Sequence, residues 1–332
     1  MNQYLRRLLP LLLAVALLAY ALHGISFRVI GEQFQHANYS LIALVGLVTV
    51  GSYFVRGKRW QQPLLALGYQ PTVFRTTVAM QTGVVSSMII LGSGELTRCA
   101  TLQRTDGIPL AQGIGSVVAE RIIDLFMLAL VLMLTALVEF DRVRTYLSSL
   151  TLAVPSAYWV MIISSLILIT ALLSWWALSS PIVRNHPLTG RLIRIIQGFN
   201  QGFMAIRQLP QPGLFVVLTL LNQVLSCLIT YLLLLAVDAT HDLPFSSALT
   251  ILAVSSLGGL AVPTQGGIGT YHFLVGRVLV LYGLPQTESV AVATFLHAVG
   301  FAINLLLSSV SFLIVPMLIT ARKTKPTTNA IN

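Results

Sequence analysis

Charged residues are scarce in this chain: Asp, Glu, Lys and Arg make up 9% of its 332 residues. Soluble domains carry nearer a quarter, so this sequence cannot cover a folded core with a solvated surface. The apolar–polar alternation that membrane β-barrels need is also missing. Continuous apolar runs such as 8–22 and 122–138 are present instead. Because only helices and closed barrels satisfy every backbone polar group in lipid, the sequence predicts an all-α polytopic membrane protein.

Other absences exclude whole classes of site. The two cysteines, Cys99 and Cys227, form no C-x-x-C and predict neither a disulfide framework nor a metal site. No ATP-binding loop, zinc-protease motif or serine-hydrolase motif occurs, so we expect no cofactor. The net charge of +10 lacks the aromatic-interleaved basic stripe of nucleic-acid binders. It fits the excess of Lys and Arg in cytoplasmic loops of membrane proteins, and we expect no nucleic-acid partner.

Hydropathy predicts six full spans and two weaker stretches. A span needs about 20 residues, and the stretch 77–92 is short and polar for one, whereas 247–283 is too long and is interrupted by glycines. The N-terminal run follows two arginines and resembles a signal peptide as well as a span, and we expect it to remain as a span. The predicted spans are 8–23, 40–55, 114–138, 157–178, 214–237 and 289–315.

Loop charges predict the topology. Acidic residues without Lys or Arg make the connection 238–246 external. Basic residues place both termini, the connection after the second span and the connection 179–212 in the cytoplasm; those of the second connection are Arg56, Lys58, Arg59 and Arg75.

These assignments agree if 77–92 and 247–283 are re-entrant hairpins and 93–112 is cytoplasmic. The fold is then six full spans plus two re-entrant hairpins in an inverted-topology repeat, which places a site near the bilayer midplane. We expect one domain over 1–332, with halves of about 1–150 and 151–320 and a short cytoplasmic tail at 317–332. Eight full spans are the alternative.

One polar constellation follows the first weak stretch. Glu95 and Arg98 flank a Gly-rich break, and Glu120, Arg121 and Asp124 can share one face of the next helix. If this helix enters the membrane near residue 110, Glu120 lies about 15 Å deep, where a charge is costly unless it is paired or wet. Two interpretations remain open: a structural Arg121–Asp124 ion pair, or a polar site for a charged headgroup or a proton.

A second constellation lies in the second weak stretch, at Gln265–His272. Three glycines, Gly266, Gly267 and Gly269, precede a helical run and predict free backbone N–H groups at a helix N-terminus, which suits an anion. Arg277 follows on the same helix. Later, His297 and Asn304 are expected to be interhelical hydrogen-bond partners or relay groups.

Three motifs in order and spacing resemble the lysylphosphatidylglycerol synthase transmembrane (flippase-like) family, over nearly the whole chain. They are Gly94–Arg98, Glu120–Asp124 and Pro263–Gly269. The resemblance implies movement of a phospholipid or related lipid between leaflets. In full-length bacterial enzymes of this family a soluble aminoacylating domain follows. Here the chain ends at Asn332 soon after the last span, so we expect a stand-alone member that is not an enzyme.

The expected function is therefore a lipid flippase or transporter of the bacterial inner membrane, with an anionic or lipid-linked substrate; the sequence is compatible with an oligomer. Arg98, Arg121 and Arg277 would meet the phosphate, and Glu95, Glu120, Asp124 and His272 would balance charge or couple movement to protons. The alternative is a membrane-embedded transferase in which Glu95 and His272 supply acid–base chemistry.

Overall fold

The computed structural model describes residues 18–20, 27–142, 144 and 197–323, and the regular structure among them is helical, without a β-strand. The predicted span 157–178 and most of 8–23 lie outside these residues. The α-helices are α1 (Phe27–Gln35), α2 (Tyr39–Ala66), α3 (Val73–Ile89), α4 (Gly94–Asp106), α5 (Leu110–Val138), α6 (Pro212–Leu235), α7 (Phe245–Ala261), α8 (Thr270–Leu281) and α9 (Gln286–Lys323). A further helical stretch, 197–204, precedes α6.

Within the described residues, α2, α5, α6 and α9 are long and apolar enough to cross a membrane. Their outer faces carry large apolar side chains, among them Phe126, which is 72% exposed, and Leu313, which is 75% exposed. Such a surface is unfavourable in water and matches hydrocarbon. The prediction of a polytopic helical membrane protein is confirmed.

The first weak stretch is part of a helical hairpin made by α3 and α4. The two helices run antiparallel, because Ser86 contacts Thr97 at 2.8 Å and Thr82 contacts Thr101 at 3.0 Å between side-chain oxygens. Their backbones touch at Gly83 and Gly94, where a Cβ atom on either glycine would lie 2.6 Å from the carbonyl oxygen of the other. Small residues allow this close approach.

The boundaries of this hairpin differ from the predicted ones. The break lies at 90–93, and most of 93–112, expected as a cytoplasmic connection, forms the returning helix α4. Hydropathy misses α4 because the helix is polar, and its hydroxyl groups are satisfied by α3 and by its own backbone.

The second weak stretch is a helical hairpin of α7 and α8 with its break at 262–269, as its glycines predict. Thr250 and Tyr282 join the two helices at the base, with 2.9 Å between their hydroxyl oxygens. The two hairpin tips meet, since the side-chain amide of Gln265 donates to the carbonyl oxygen of Ile89 at 3.3 Å. The two breaks therefore lie side by side.

The described residues repeat one pattern of a long helix, a hairpin and a long helix. The first copy is α2, α3–α4 and α5; the second is α6, α7–α8 and α9. The packing repeats as well: α3 packs on α9, α7 packs on α5, and α2 packs on α6. This is the pairing that a two-fold relation between the halves would give.

Two helices continue past the predicted boundaries. The predicted second span ends at residue 55, but α2 continues to Ala66, so Arg56, Lys58 and Arg59 lie inside the helix and not in a connection. Hydropathy treats a charge after an apolar run as the end of a span. Arg59 instead pairs with carboxylates on α5, and these neutralise its charge inside the bundle. Likewise, α9 extends to Lys323, into the predicted 317–332 tail.

Candidate functional site

Six charged side chains from α2, α4 and α5 form a closed ring of alternating sign, called here the charge ring. Each arginine pairs with two carboxylates, and each carboxylate with two arginines. The pairs are Arg59–Glu120 at 3.1 Å, Glu120–Arg98 at 3.2 Å, Arg98–Glu95 at 2.6 Å, Glu95–Arg121, Arg121–Asp124 at 3.3 Å and Asp124–Arg59 at 2.8 Å. Three positive and three negative charges make the ring neutral.

The ring has a dry side and an open side. The side chains of Arg59, Glu120 and Arg98 are each 5% exposed or less. Those of Glu95, Arg121 and Asp124 are 41%, 53% and 32% exposed. The dry side therefore fixes the ring to the bundle, and the open side can meet a ligand.

Aromatic packing fixes the dry side further. The guanidinium of Arg98 lies 4.6 Å from the ring centroid of Trp60, a cation–π contact. The indole N–H of Trp60 donates to the hydroxyl of Ser116 at 3.2 Å, which links α2 to α5. Arg98 is thus positioned by an aromatic face as well as by two carboxylates.

A cavity of about 680 Å³ lies against the ring. It is lined mainly by residues of α2, α5, α6 and α7, together with Met80 of α3, Arg98 of α4 and Asn304 of α9. A smaller cavity of about 190 Å³ reaches the first hairpin tip at Gly92. Arg56, Arg98 and Arg121 line both cavities, so the ring lies where they adjoin.

Arg56 is a further site residue, which the sequence patterns did not predict. It is partly exposed and lines both cavities, and no described residue hydrogen bonds or ion pairs with it. Because the charge ring is neutral, Arg56 supplies the net positive charge of this site. The signal was the spacing of Arg56 and Arg59, which are three residues apart and so share a helix face.

The sequence-predicted site residues of the first constellation are all brought together. Glu95, Arg98, Glu120, Arg121 and Asp124 belong to one ring. The proposed Arg121–Asp124 ion pair exists, but each partner also holds a second ring member.

The second constellation forms the tip of the α7–α8 hairpin. Gly266, Gly267 and Gly269 have φ angles of 61°, 78° and 83°, a conformation that favours glycine. The backbone N–H of Gly267 donates to Thr264 at 3.2 Å, and that of Gly269 donates to Nδ1 of His272 at 3.2 Å. The prediction that these amides are free for an anion is therefore wrong for Gly267 and Gly269, because the loop uses them itself.

Histidines hold this tip in place. Nε2–H of His297 on α9 donates to the carbonyl oxygen of Gly266 at 2.8 Å, and the rings of His297 and His272 are 4.7 Å apart. Asn304, on the same helix, accepts from the hydroxyl of Tyr53 at 2.8 Å. The interhelical hydrogen bonds predicted for His297 and Asn304 are confirmed.

The structure does not bring the remaining predicted residues to the cavities. His272 is buried, and Arg277 is exposed on α8 with its guanidinium 5.8 Å from the ring centroid of Phe273. Neither lines the two cavities beside the charge ring, and Gln265 bonds Ile89 instead.

Comparison with known proteins agrees with this architecture. A UPF0104 membrane protein of Methanothermobacter thermautotrophicus is 24% identical over 279 residues, which cover 80% of each chain. No solved structure matches the chain. The family model described as the lysylphosphatidylglycerol synthase TM region matches residues 7–308, and the chain belongs to this family.

Proposed function

We propose that the protein is a lipid flippase or transporter of the bacterial inner membrane that moves an anionic phospholipid or lipid-linked intermediate between leaflets. The observation that carries the proposal is Arg56, which pairs with none of the described residues and lies beside a neutral charge ring, at a cavity inside a helical bundle with an apolar exterior. A charged side chain within a bilayer is expensive and commonly marks a substrate pathway. A lipid headgroup in the cavity would be shielded while its tails stay in hydrocarbon.

Arg56 would attract the phosphate first, because the other arginines at the cavity are already neutralised. Arg121 is the ring member best placed to join it, since its side chain is 53% exposed. A phosphate that approaches Arg121 would compete with Glu95 and Asp124 for the guanidinium. Arg59 and Arg98, on the dry side, would keep the site in shape.

The lengths of the four hairpin helices favour re-entrant hairpins over full spans. With 1.5 Å per residue, α3 (17 residues) is about 26 Å long and α4 (13 residues) about 20 Å. By the same rise, α7 (17 residues) is about 26 Å and α8 (12 residues) about 18 Å long. All four are shorter than the hydrocarbon core of about 30 Å, and the two tips touch through Gln265 and Ile89. Hairpins that enter from opposite sides and meet inside the membrane fit these facts, and the basic residues near both ends of the sequence favour cytoplasmic termini.

The site favours transport over transfer chemistry. A transferase would need Glu95 and His272 at one reactive surface. Glu95 is ion-paired to Arg98 and Arg121, and His272 is buried with Nδ1 accepting from Gly269. We therefore propose no catalytic role for either side chain.

Leaflet exchange in proteoliposomes tests the proposal. Fluorescent anionic, zwitterionic and neutral lipids with the same tails are compared in wild type, Arg56→Gln and Lys58→Gln. Lys58 is a matched control, because it lies on the same helix, bonds Gln61 and does not line the cavity. We expect exchange of the anionic lipid only, lost in Arg56→Gln and kept in Lys58→Gln. Absence of exchange for every lipid in wild type would refute the proposed function.

A further inference from the structure

The cavity has a second wall, on α6, whose chemistry differs from that of the charge ring. Asn222 and Gln223 lie side by side on this apolar helix and both line the cavity. No described residue hydrogen bonds with either side-chain amide. An amide without a partner is costly in a membrane, so water or a polar ligand inside the cavity would stabilise these two groups.

Hydroxyl groups on the same wall present acceptors. Ser226 donates its proton to the carbonyl oxygen of Asn222 at 2.8 Å, and Thr230 donates to that of Ser226 at 3.0 Å. With these protons engaged by the helix, the remaining lone pairs of both oxygens can accept. Ser226 and Thr230 line the cavity with the two amides. This wall is therefore uncharged and offers both donors, the amide N–H groups of Asn222 and Gln223, and acceptors.

Such a wall suits hydroxyl groups, which both donate and accept, better than phosphate, which can use only the amide N–H donors. A phosphate oxygen offers lone pairs, which do not pair with the lone pairs of Ser226 and Thr230. A sugar or polyol offers several O–H donors for these acceptors and for the amide oxygens of Asn222 and Gln223. An ammonium group would also be a donor, but it would add positive charge beside Arg56.

Charge sets the number of phosphates. The charge ring is neutral, so Arg56 balances a single negative charge among the residues that line the cavity. A second phosphate or a cationic headgroup would leave charge uncompensated inside the bundle.

We infer that the α6 wall is a polyol subsite, and that the substrate is a lipid whose hydroxyl-rich, uncharged headgroup is joined through a single phosphodiester. That this lipid is a transported substrate rests on the proposed function. The subsite itself can be tested by binding alone.

Binding to the purified protein in detergent, measured by native mass spectrometry, provides the test. Three lipids with the same tails are compared: phosphatidylinositol, phosphatidic acid and the amine-bearing lysylphosphatidylglycerol. We expect phosphatidylinositol to bind at least tenfold more tightly than either of the others. Equal binding of phosphatidylinositol and phosphatidic acid, or tighter binding of the amine-bearing lipid, would overturn the inference. Soluble glycerophosphoinositol, which has no lipid tails, should not displace phosphatidylinositol at equal concentration. If it did, the wall would bind a free polyol phosphate and the inference would be overturned.

Variants assign the preference to α6. In Asn222→Leu/Gln223→Leu, phosphatidylinositol binding is expected to fall to the level of phosphatidic acid, whose own binding stays unchanged. Leucine suits an apolar span, and Ser226→Ala/Thr230→Ala provides a second variant with a smaller expected loss. Gln211→Leu is the matched control, since Gln211 precedes the same helix and does not line the cavity. A preference that survives both double variants would reject the subsite.

The binding and exchange assays test the subsite and the proposed function independently. Exchange of anionic lipids without a preference for phosphatidylinositol would defeat the polyol subsite and leave the proposed function standing. A binding preference that depends on Asn222 and Gln223, without exchange of any lipid, would support the subsite and refute the flippase.

Discussion

Arg59 and Glu120 form a 3.1 Å ion pair between α2 and α5 in which both side chains are almost fully buried. Each has a second partner, Asp124 for Arg59 and Arg98 for Glu120. The pair is therefore one edge of the charge ring, and its loss changes the balance of every other member. This explains why α2 carries an arginine well inside a membrane helix.

Removing Arg59 should destabilise the fold. Arg59→Ala leaves Glu120 with one partner in a dry site, and breaking a buried pair in this way costs about 3–5 kcal/mol. Thermal unfolding in detergent measures the effect. The double variant Arg59→Ala/Glu120→Ala should recover part of the loss. Arg28→Ala, at an ion pair whose arginine side chain is 86% exposed, should change the midpoint little. A stable Arg59→Ala protein would contradict the ring.

Exchanging Arg121 and Asp124 should fail, although it would be tolerated in an isolated pair. In Arg121→Asp/Asp124→Arg, the new Asp faces Glu95 and the new Arg faces Arg59, so like charges meet on both sides. We expect a lower unfolding temperature and loss of lipid exchange. The exposed Arg28–Glu32 pair provides the control, because Arg28→Glu/Glu32→Arg should keep wild-type stability. Wild-type behaviour of the Arg121–Asp124 exchange would show that the two residues form a simple structural pair.

Much of this site follows from sequence spacing, and the rest depends on contacts across the fold. The shared face of Glu120, Arg121 and Asp124 follows from helical periodicity. The sequence predicts that Arg59 lies in a connection, because a charge after an apolar run resembles the end of a span. Its partners come from another helix, which local patterns do not show.

The second constellation departs from its prediction at two amides, for a related reason. Its glycines do mark the break, as predicted. The amides of Gly267 and Gly269 are not free, because the first donates to Thr264 and the second to the side chain of His272. Arg277 follows a Gly-rich break, as Arg98 does, and this position predicts that both arginines meet the phosphate. In the structure, however, Arg277 lies on the exposed face of its helix.

The contact between Gly83 and Gly94 should not tolerate a methyl group. In Gly83→Ala the new Cβ would lie 2.6 Å from the carbonyl oxygen of Gly94, which forces α3 and α4 apart. We expect a loss of about 1–3 kcal/mol in unfolding free energy, together with reduced exchange, since α4 carries Glu95 and Arg98. Gly51→Ala is the control: nothing lies within 4 Å of its Cβ position in α2. Equal effects of the two substitutions would contradict the close approach.

Acid should weaken the contact between the end of α5 and the second hairpin. Burial alone would raise the pKa of Glu139, but hydrogen bonds from Ser246, Arg142 and Tyr282 outweigh it and hold the pKa below its ordinary value of 4.5. A lowered pKa means that this stabilisation is present above about pH 4.5 and is lost as the pH falls through the folded-state pKa. The unfolding midpoint of wild type should therefore fall towards that of Glu139→Gln on acidification. A constant difference between the two proteins at all pH values would reject this role.

Cysteine labelling should separate the re-entrant topology from eight full spans. Cys99 and Cys227 are buried and free and are first replaced by alanine. Gln70 and Gln103 lie near the base of the first hairpin, and Asp242 and Thr287 near that of the second; all four are exposed. With re-entrant hairpins, a membrane-impermeant maleimide should label Asp242→Cys and Thr287→Cys in intact cells. It should reach Gln70→Cys and Gln103→Cys only after permeabilisation. Labelling of Gln103→Cys from outside, with Gln70→Cys still protected, would show that the chain crosses the membrane between residues 70 and 103. That result would restore eight full spans and would remove the two re-entrant tips from the proposed mechanism.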